Sequence, residues 1–322
     1  MLDFQFLGTS AGIPTKNRNV TALAIGQTAS KPWLLVDCGE ATQQQILQTP
    51  WSANTLSAIC ITHVHGDHCY GLPGMLASAG LNKRTQPLTL IAPLPLWQWL
   101  QHTIALTDLY LSFELQFVDV TTLITQSHAV DGFEISAVAL NHRVPSYAYK
   151  IRNRRLVKQL DRDALFAHGL PAGPLWGMLQ SGDDVYYQGR NYPASLYLEQ
   201  YEQQVCALIG GDNDTPALLQ AACDGVQVLV HEATYTQEVA DKVGALPMHS
   251  SAKQTAEFAY QAAIPNLVLT HFSARYSDAQ AIAPLLAEAK LHYHGQVHLA
   301  EDFAQYRLLP GGEFQPLSAS DA

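Results

Sequence analysis

The chain has 322 residues, 48% of them hydrophobic and 14% charged, with 18 basic side chains against 28 acidic ones and a formal net charge of −10. That composition suits a folded enzyme and excludes disordered and coiled-coil classes. The acidic total, taken alone, argues against nucleic acid, because phosphate binders usually carry a basic footprint. The five cysteines are odd in number and form no CxxC pair, which reads as reduced thiols in a cytoplasmic protein. The opening residues show neither a basic n-region nor a long apolar run, so neither a signal peptide nor a membrane span is expected.

Apolar runs bounded by turn residues predict strands over residues 2–7, 33–37, 57–62, 88–92, 133–140, 205–209, 226–230 and 267–270. Helices are predicted over 41–48, 215–223, 251–263 (with Ser250 or Ser251 as cap) and 278–290. Strands and helices interleave along the chain, which gives an α/β protein with layered sheets. Residues 155–192 break the rhythm with Gly169, Pro171, Gly173, Pro174, Gly177, Gly182 and Gly189, and read as a protruding arm inserted into one domain spanning 1–322. Six of the 18 basic residues (Lys150, Arg152, Arg154, Arg155, Lys158 and Arg162) fall in one 13-residue stretch beside it. Residues 310–322 read as a polar tail.

The strongest signal follows the strand at 57–62: Thr62-His63-Val64-His65-Gly66-Asp67-His68. His63 and His65 are expected on one face of the strand end, and Gly66 permits a sharp turn that points Asp67 and His68 back into the same space. Imidazole nitrogens and a carboxylate form the donor set that zinc prefers. A lone HxH would be weak, but later strands also deliver polar groups at their ends: Asn141-His142, Gly210-Gly211-Asp212, His231-Glu232 and His271. Open α/β sheets collect their chemistry at such ends. Seven candidates can hold two metals: His63, His65 and His142 for the first, Asp67, His68 and His271 for the second. Asp212 would offer one oxygen to each.

With these residues in view, the chain closely resembles the tRNase Z family, also called ribonuclease Z or ribonuclease BN. The resemblance runs from residue 1 to about 308. It rests on Phe6-Leu7-Gly8-Thr9-Ser10-Ala11-Gly12, Pro14-Thr15 with Arg18-Asn19, Asp37-Cys38-Gly39-Glu40, the HxHxDH motif, Gly71-Leu72-Pro73-Gly74, His231-Glu232-Ala233-Thr234, His249-Ser250-Ser251 and Ser273-Ala274-Arg275-Tyr276. HxHxDH alone marks only the metallo-β-lactamase superfamily; the His-Glu-Ala-Thr and His-Ser-Ser runs are more particular.

The resemblance implies an αββα sandwich with two Zn2+ per chain on the same seven residues. It implies a homodimer that removes 3′ trailers from precursor tRNA as an endoribonuclease, with added exonuclease action left open. Asp67 would double as the base acting on the attacking water, and His249, positioned by Glu232, would assist the leaving oxygen. Gly173, Pro174 and Gly182 would belong to an exosite arm gripping tRNA, with Lys150, Arg152, Arg154, Arg155 and Lys158 at its base. Two positions depart from the family pattern: Asn213 replaces a usual Thr, and Gln180 replaces a usual Lys in the arm. The competing readings are a hydrolase of small phosphodiesters on the same fold, which would not need the arm, and a metal-free RNA-binding relative, which would not need all seven ligands.

Overall fold

The computed structural model describes residues 1–317. Two large sheets dominate. The first runs in the spatial order Phe314–Pro316, Gln305–Leu308, Leu2–Gly8, Ala22–Gln27, Trp33–Val36, Leu56–Cys60, Leu88–Ala92 and Leu115–Asp119. Its pairings are antiparallel up to Trp33–Val36 and parallel beyond. The second runs Gln296–Leu299, Asn266–Thr270, Val228–Glu232, Leu198–Ile209, Ser146–Leu160, Phe133–Leu140 and His128–Val130.

Alternation along the strands builds two cores. Leu34 and Val36 face the core shared with the second sheet, together with Phe4, Phe6, Tyr149 and Leu208. Their neighbours Trp33 and Leu35 face the other way, against helices Leu72–Leu81 and Leu94–Thr107. On the second sheet, helices Ala252–Gln261 and Ala279–His292 contribute Ala256, Phe258, Ile282 and Leu285 to the core. A helix layer outside each of two facing sheets is the expected αββα sandwich.

Chain contacts divide the protein into two compact units: Met1–Asn153 with the chain from Val205 onward, and Arg154–Gln204. The second unit is wider than the expected 155–192, because the polar start of strand Leu198–Ile209 hid its strand character. It has regular structure of its own: helices Arg162–Ala167, Pro174–Ser181 and Ala194–Tyr197, and the hairpin Val185–Tyr187 with Arg190–Tyr192. A small core of Leu160, Leu165, Leu170, Leu179, Val185, Tyr192 and Tyr197 holds it together. Pro174 opens its second helix, and Gly182 closes it with φ 105.

Three further expectations need correction. The strand at 57–62 ends at Cys60, and Asp67 and His68 lie on a helical turn, Gly66–Cys69. A Cβ at Gly66 would lie against the ring of Tyr70, an exposed side chain that would have to move aside. Residues 216–222 form a 3-10 rather than an α-helix. The tail is not wholly polar coil: Phe314–Pro316 pairs with Gln305–Leu308, and Phe314 is buried edge-on against Phe4. Residues 318–322 of that tail lie outside the described residues.

Candidate metal centre

The ends of the two sheets meet at backbone. Tyr147 donates its N–H to the Thr62 carbonyl at 3.1 Å, Gly211 donates to the Tyr147 carbonyl at 3.2 Å, and the Tyr149 hydroxyl reaches the Ile61 carbonyl at 2.6 Å. Gly211 permits this approach, since a Cβ there would lie 2.6 Å from Thr62 Cβ and 2.8 Å from the Tyr147 oxygen. The loops that leave these strand ends therefore converge, carrying His63, His65, His142, Asp212 and His271 to one place.

The seven candidate residues lie together, in two groups that meet at Asp212. His65 Nδ1 lies 3.1 Å from both His63 Nε2 and His142 Nε2. Asp212 Oδ2 lies 3.6 and 3.7 Å from the latter two atoms. In the second group His68 Nε2 and His271 Nε2 are 3.3 Å apart, and Asp67 Oδ2 is 3.5 and 3.3 Å from them. Here Asp212 Oδ1 is the neighbour, at 3.3 and 3.4 Å. One carboxylate thus gives one oxygen to each group. Donor atoms around tetrahedral zinc, at ~2.0–2.1 Å from the metal, are separated by about 3.3 Å. The donor set and its spacing fit a metal ion in each group.

The outer nitrogens are already engaged. His63 Nδ1 faces Thr62 Oγ1 at 3.0 Å, His142 Nδ1 the Met248 carbonyl at 3.0 Å, and His271 Nδ1 Thr234 Oγ1 at 3.1 Å. His68 Nδ1 is 2.7 Å from Asp37 Oδ2, which also accepts from Thr62 Oγ1. Such partners fix the tautomer and leave the inward nitrogen as a lone pair. Burial holds His63, His65 and His142 below the usual imidazole range, in the neutral form that binds metal. Burial opposes a proton on His68, but Asp212, Asp67 and Asp37 raise it well above that range. Burial likewise opposes charge on Asp67 and Asp212, and the surrounding histidines nevertheless hold both carboxyls low.

The backbone is strained at three non-glycine residues of this site: Asp37, Met248 and His271 have φ of 61, 55 and 56. Left-handed conformations of this kind cost about 1–3 kcal/mol each and collect at functional sites. Sequence reasoning gave no role to Asp37, Thr62, Thr234 or the Met248 carbonyl.

His249 stands beside the ligands. Its Nδ1 lies 3.0 Å from Glu232 Oε2 and 3.8 Å from Asp212 Oδ2. Burial works against its charge, but Glu232 raises it to about 9. Glu232 also accepts from the Asn213 N–H at 2.6 Å and from Thr234 Oγ1 at 2.5 Å, so it ties His249 to the loop of Asp212 and to His271. Asn213, the departure from the family pattern, donates its side-chain amide to His231 Nε2 at 3.2 Å. His231 is thereby a buried structural partner.

The basic stretch is not one surface. Lys150 is buried with its ammonium on the Asp224 carbonyl, and Arg152 pairs with Glu134 at 3.3 Å. In the second unit Arg154 pairs with Glu202 at 3.5 Å, while Arg155 and Lys158 are exposed. Lys158, Arg162 and Gln180 line a cavity of about 660 Å³ within that unit, and Gln180 donates to the Lys158 carbonyl.

The fold and the paired histidine–aspartate groups define a metal-dependent hydrolase of the metallo-β-lactamase fold. Solved structures share that fold. Human tRNase Z, short form, superposes with a TM-score of 0.65 at 24% identity, covering 95% of this chain and 99% of that one. The metallo-β-lactamase fold protein YhfI from Bacillus subtilis superposes with a TM-score of 0.65 at 17% identity, over 94% and 98%. Residues 2–167 match the family model described as anti-Pycsar protein Apyc1. Ribonuclease Z of Marinobacter nauticus is 48% identical over 95% of this chain and 96% of its own. Ribonuclease BN of an Enterobacter species is 36% identical over 94% and 99%. The chain belongs to the family that the Apyc1 model describes and, through relatives spanning nearly its whole length, to the ribonuclease Z family.

Proposed function

We propose that this chain is a cytoplasmic, homodimeric endoribonuclease that removes 3′ trailers from precursor tRNA at a centre of two zinc ions. One observation carries the reading: the two oxygens of Asp212 face different groups of donor atoms, Oδ2 toward His63 and His142 and Oδ1 toward His68 and His271. Two adjacent cation sites sharing a carboxylate are the arrangement of two-metal phosphodiester hydrolysis. Among the described residues no helix is long and apolar enough to cross a membrane.

When bound, the zinc ions supply Lewis acidity, acidifying water and neutralising charge on phosphoryl oxygens. The protein's own groups do the rest. Asp67 holds its Oδ2 on the Gly12 N–H at 2.7 Å, and its Oδ1 has no partner among the described residues. That oxygen orients the attacking water and takes its proton. His249 keeps its Nδ1 on Glu232 and presents a protonated Nε2 to the leaving oxygen. The new bond joins the water oxygen to phosphorus, the P–O3′ bond breaks, and the 3′-oxygen takes the His249 proton. The products are a 3′-hydroxyl on the tRNA and a 5′-phosphate on the trailer.

Substrate grip falls to the second unit. Arg155, Lys158, Arg162 and Arg190 are exposed cations of that unit, whereas Lys150, Arg152 and Arg154 are engaged with Asp224, Glu134 and Glu202. Pro174 and Gly182 shape the helix between them. A Cβ at Gly173 would meet nothing within 4 Å, which suits a residue kept small for close approach of a ligand to backbone.

Metal analysis tests the reading. The purified protein is expected to carry close to two zinc ions per chain, and Asp212→Ala to lose both. A single tight ion with no second on titration would refute the two-ion centre.

A further inference from the structure

Beside His249 lies a cavity of about 320 Å³ lined by Asp214, Gln237, Asp241, Met248, His249 and Gln254. Its size falls within the range of small-ligand pockets, ~300–1,000 Å³. Its polar walls are held in place from behind. Asp214 Oδ1 accepts from Asn141 Nδ2 and from Thr215 Oγ1, both at 2.7 Å. Gln237 Oε1 accepts from Ser251 Oγ at 2.6 Å, and its Nε2 donates to Asp241 Oδ1 at 2.7 Å. Gln254 Oε1 accepts from the Ser251 N–H at 2.9 Å. Three atoms remain without a hydrogen-bond partner among the described residues: Asp214 Oδ2, Asp241 Oδ2 and Gln254 Nε2.

Two carboxylates beside a polyanionic substrate cannot be a phosphate subsite. They repel a phosphodiester and accept hydrogen bonds from a neutral group, while the Gln254 amide can donate one. We infer that this cavity receives the nucleobase whose 3′-oxygen leaves, and that it selects bases bearing an exocyclic amino group over uracil. The inference rests on the ribonuclease reading above, in which His249, one wall of the cavity, protonates that oxygen. The nucleoside attached to the oxygen is then the one whose base lies within reach. Adenine, cytosine and guanine all offer an amino donor, and carboxylates read such donors. Uracil presents carbonyl oxygens in the same place, and these meet the carboxylates unfavourably.

The test uses four precursor tRNAs that differ only in the unpaired nucleotide 5′ to the cut, with kcat/KM measured for the full-length, zinc-loaded protein. The uracil substrate is expected to be poorer than the cytosine one by about tenfold, the scale of a single well-formed base contact. In Asp241→Asn, and independently in Asp214→Asn, an acceptor can present a donor, and the cytosine-to-uracil ratio should fall to about one third or less. The ratio compares two substrates on one preparation, so a loss of overall activity in a variant does not mask it. Wild-type values within twofold for all four substrates would overturn the inference. So would a tenfold preference that both variants retain. A wild-type protein that splits a chromogenic phosphodiester but none of the four RNAs would overturn the ribonuclease reading, and the base pocket with it.

Discussion

At Asp67 two demands meet in one side chain. Its Oδ2 completes the group of His68 and His271, and the carboxylate is held ionised within a site that otherwise disfavours charge. Asp67→Ala should therefore leave a folded protein, because the residue belongs to no hydrophobic cluster, but reduce phosphodiester hydrolysis by several orders of magnitude. Activity within about tenfold of wild type would remove Asp67 from both tasks. Asp37 makes a different kind of contribution. It touches no candidate metal position, yet its Oδ2 holds His68 Nδ1 at 2.7 Å and its Oδ1 accepts the Thr62 N–H at 2.8 Å. Partners of this sort govern metal affinity by about 10–100-fold. Asp37→Ala should weaken zinc binding at the Asp67, His68 and His271 group by that factor in a chelator competition, and zinc binding at the other group much less. Equal weakening of both would mean that Asp37 supports the whole site.

Among the elements, the two sheet ends are joined where Gly211 passes Thr62 and Tyr147. Gly211→Ala would force a methyl against backbone and a β-branched side chain that cannot retreat. Overpacking of this kind costs about 1–3 kcal/mol, and a denaturant midpoint unchanged from wild type would show that the loop has slack. The second unit has its own core, so it can be altered with the sandwich left in place. Replacing residues 160–185 by a short linker should abolish most precursor tRNA cleavage while a small chromogenic phosphodiester is still split, because remote contacts contribute only to a large substrate. Parallel loss of both activities would assign those residues to the fold or the dimer.

Much of this was legible in the sequence, and the exceptions have physical causes. Fully buried strands such as Leu88–Ala92 and Asn266–Thr270 read as uninterrupted apolar runs and lie close to their expected bounds. Ser146–Leu160 did not, because its outer half is a basic, exposed strand whose charges mask the alternation. Helix Leu72–Leu81 was also missed: it is apolar on most sides and carries Pro73, Gly74 and Gly80, so it has little period to detect. The seven candidate ligands stood out because four share one hexapeptide and the others follow strand ends. Thr62, Thr234 and Asp37 could not be given roles in the same way. Their contacts to ligands depend on how loops meet in space, and the Met248 carbonyl has no side-chain signature at all.

For the whole molecule, the puzzle is how a chain of net charge −10 handles a polyanion. Part of the acidity lies around the centre, in buried Asp37, Asp212 and Glu232 and half-buried Asp67, and two divalent cations would offset four of the negative charges. The most direct test is titration of metal-free protein with zinc while an end-labelled precursor tRNA is cleaved and its new ends are mapped. Activity is expected to rise to a plateau at two zinc ions per chain, leaving a 3′-hydroxyl on the tRNA and a 5′-phosphate on the trailer. A plateau at one ion, or a 2′,3′-cyclic phosphate at the cut, would contradict hydrolysis by water at a shared two-metal centre.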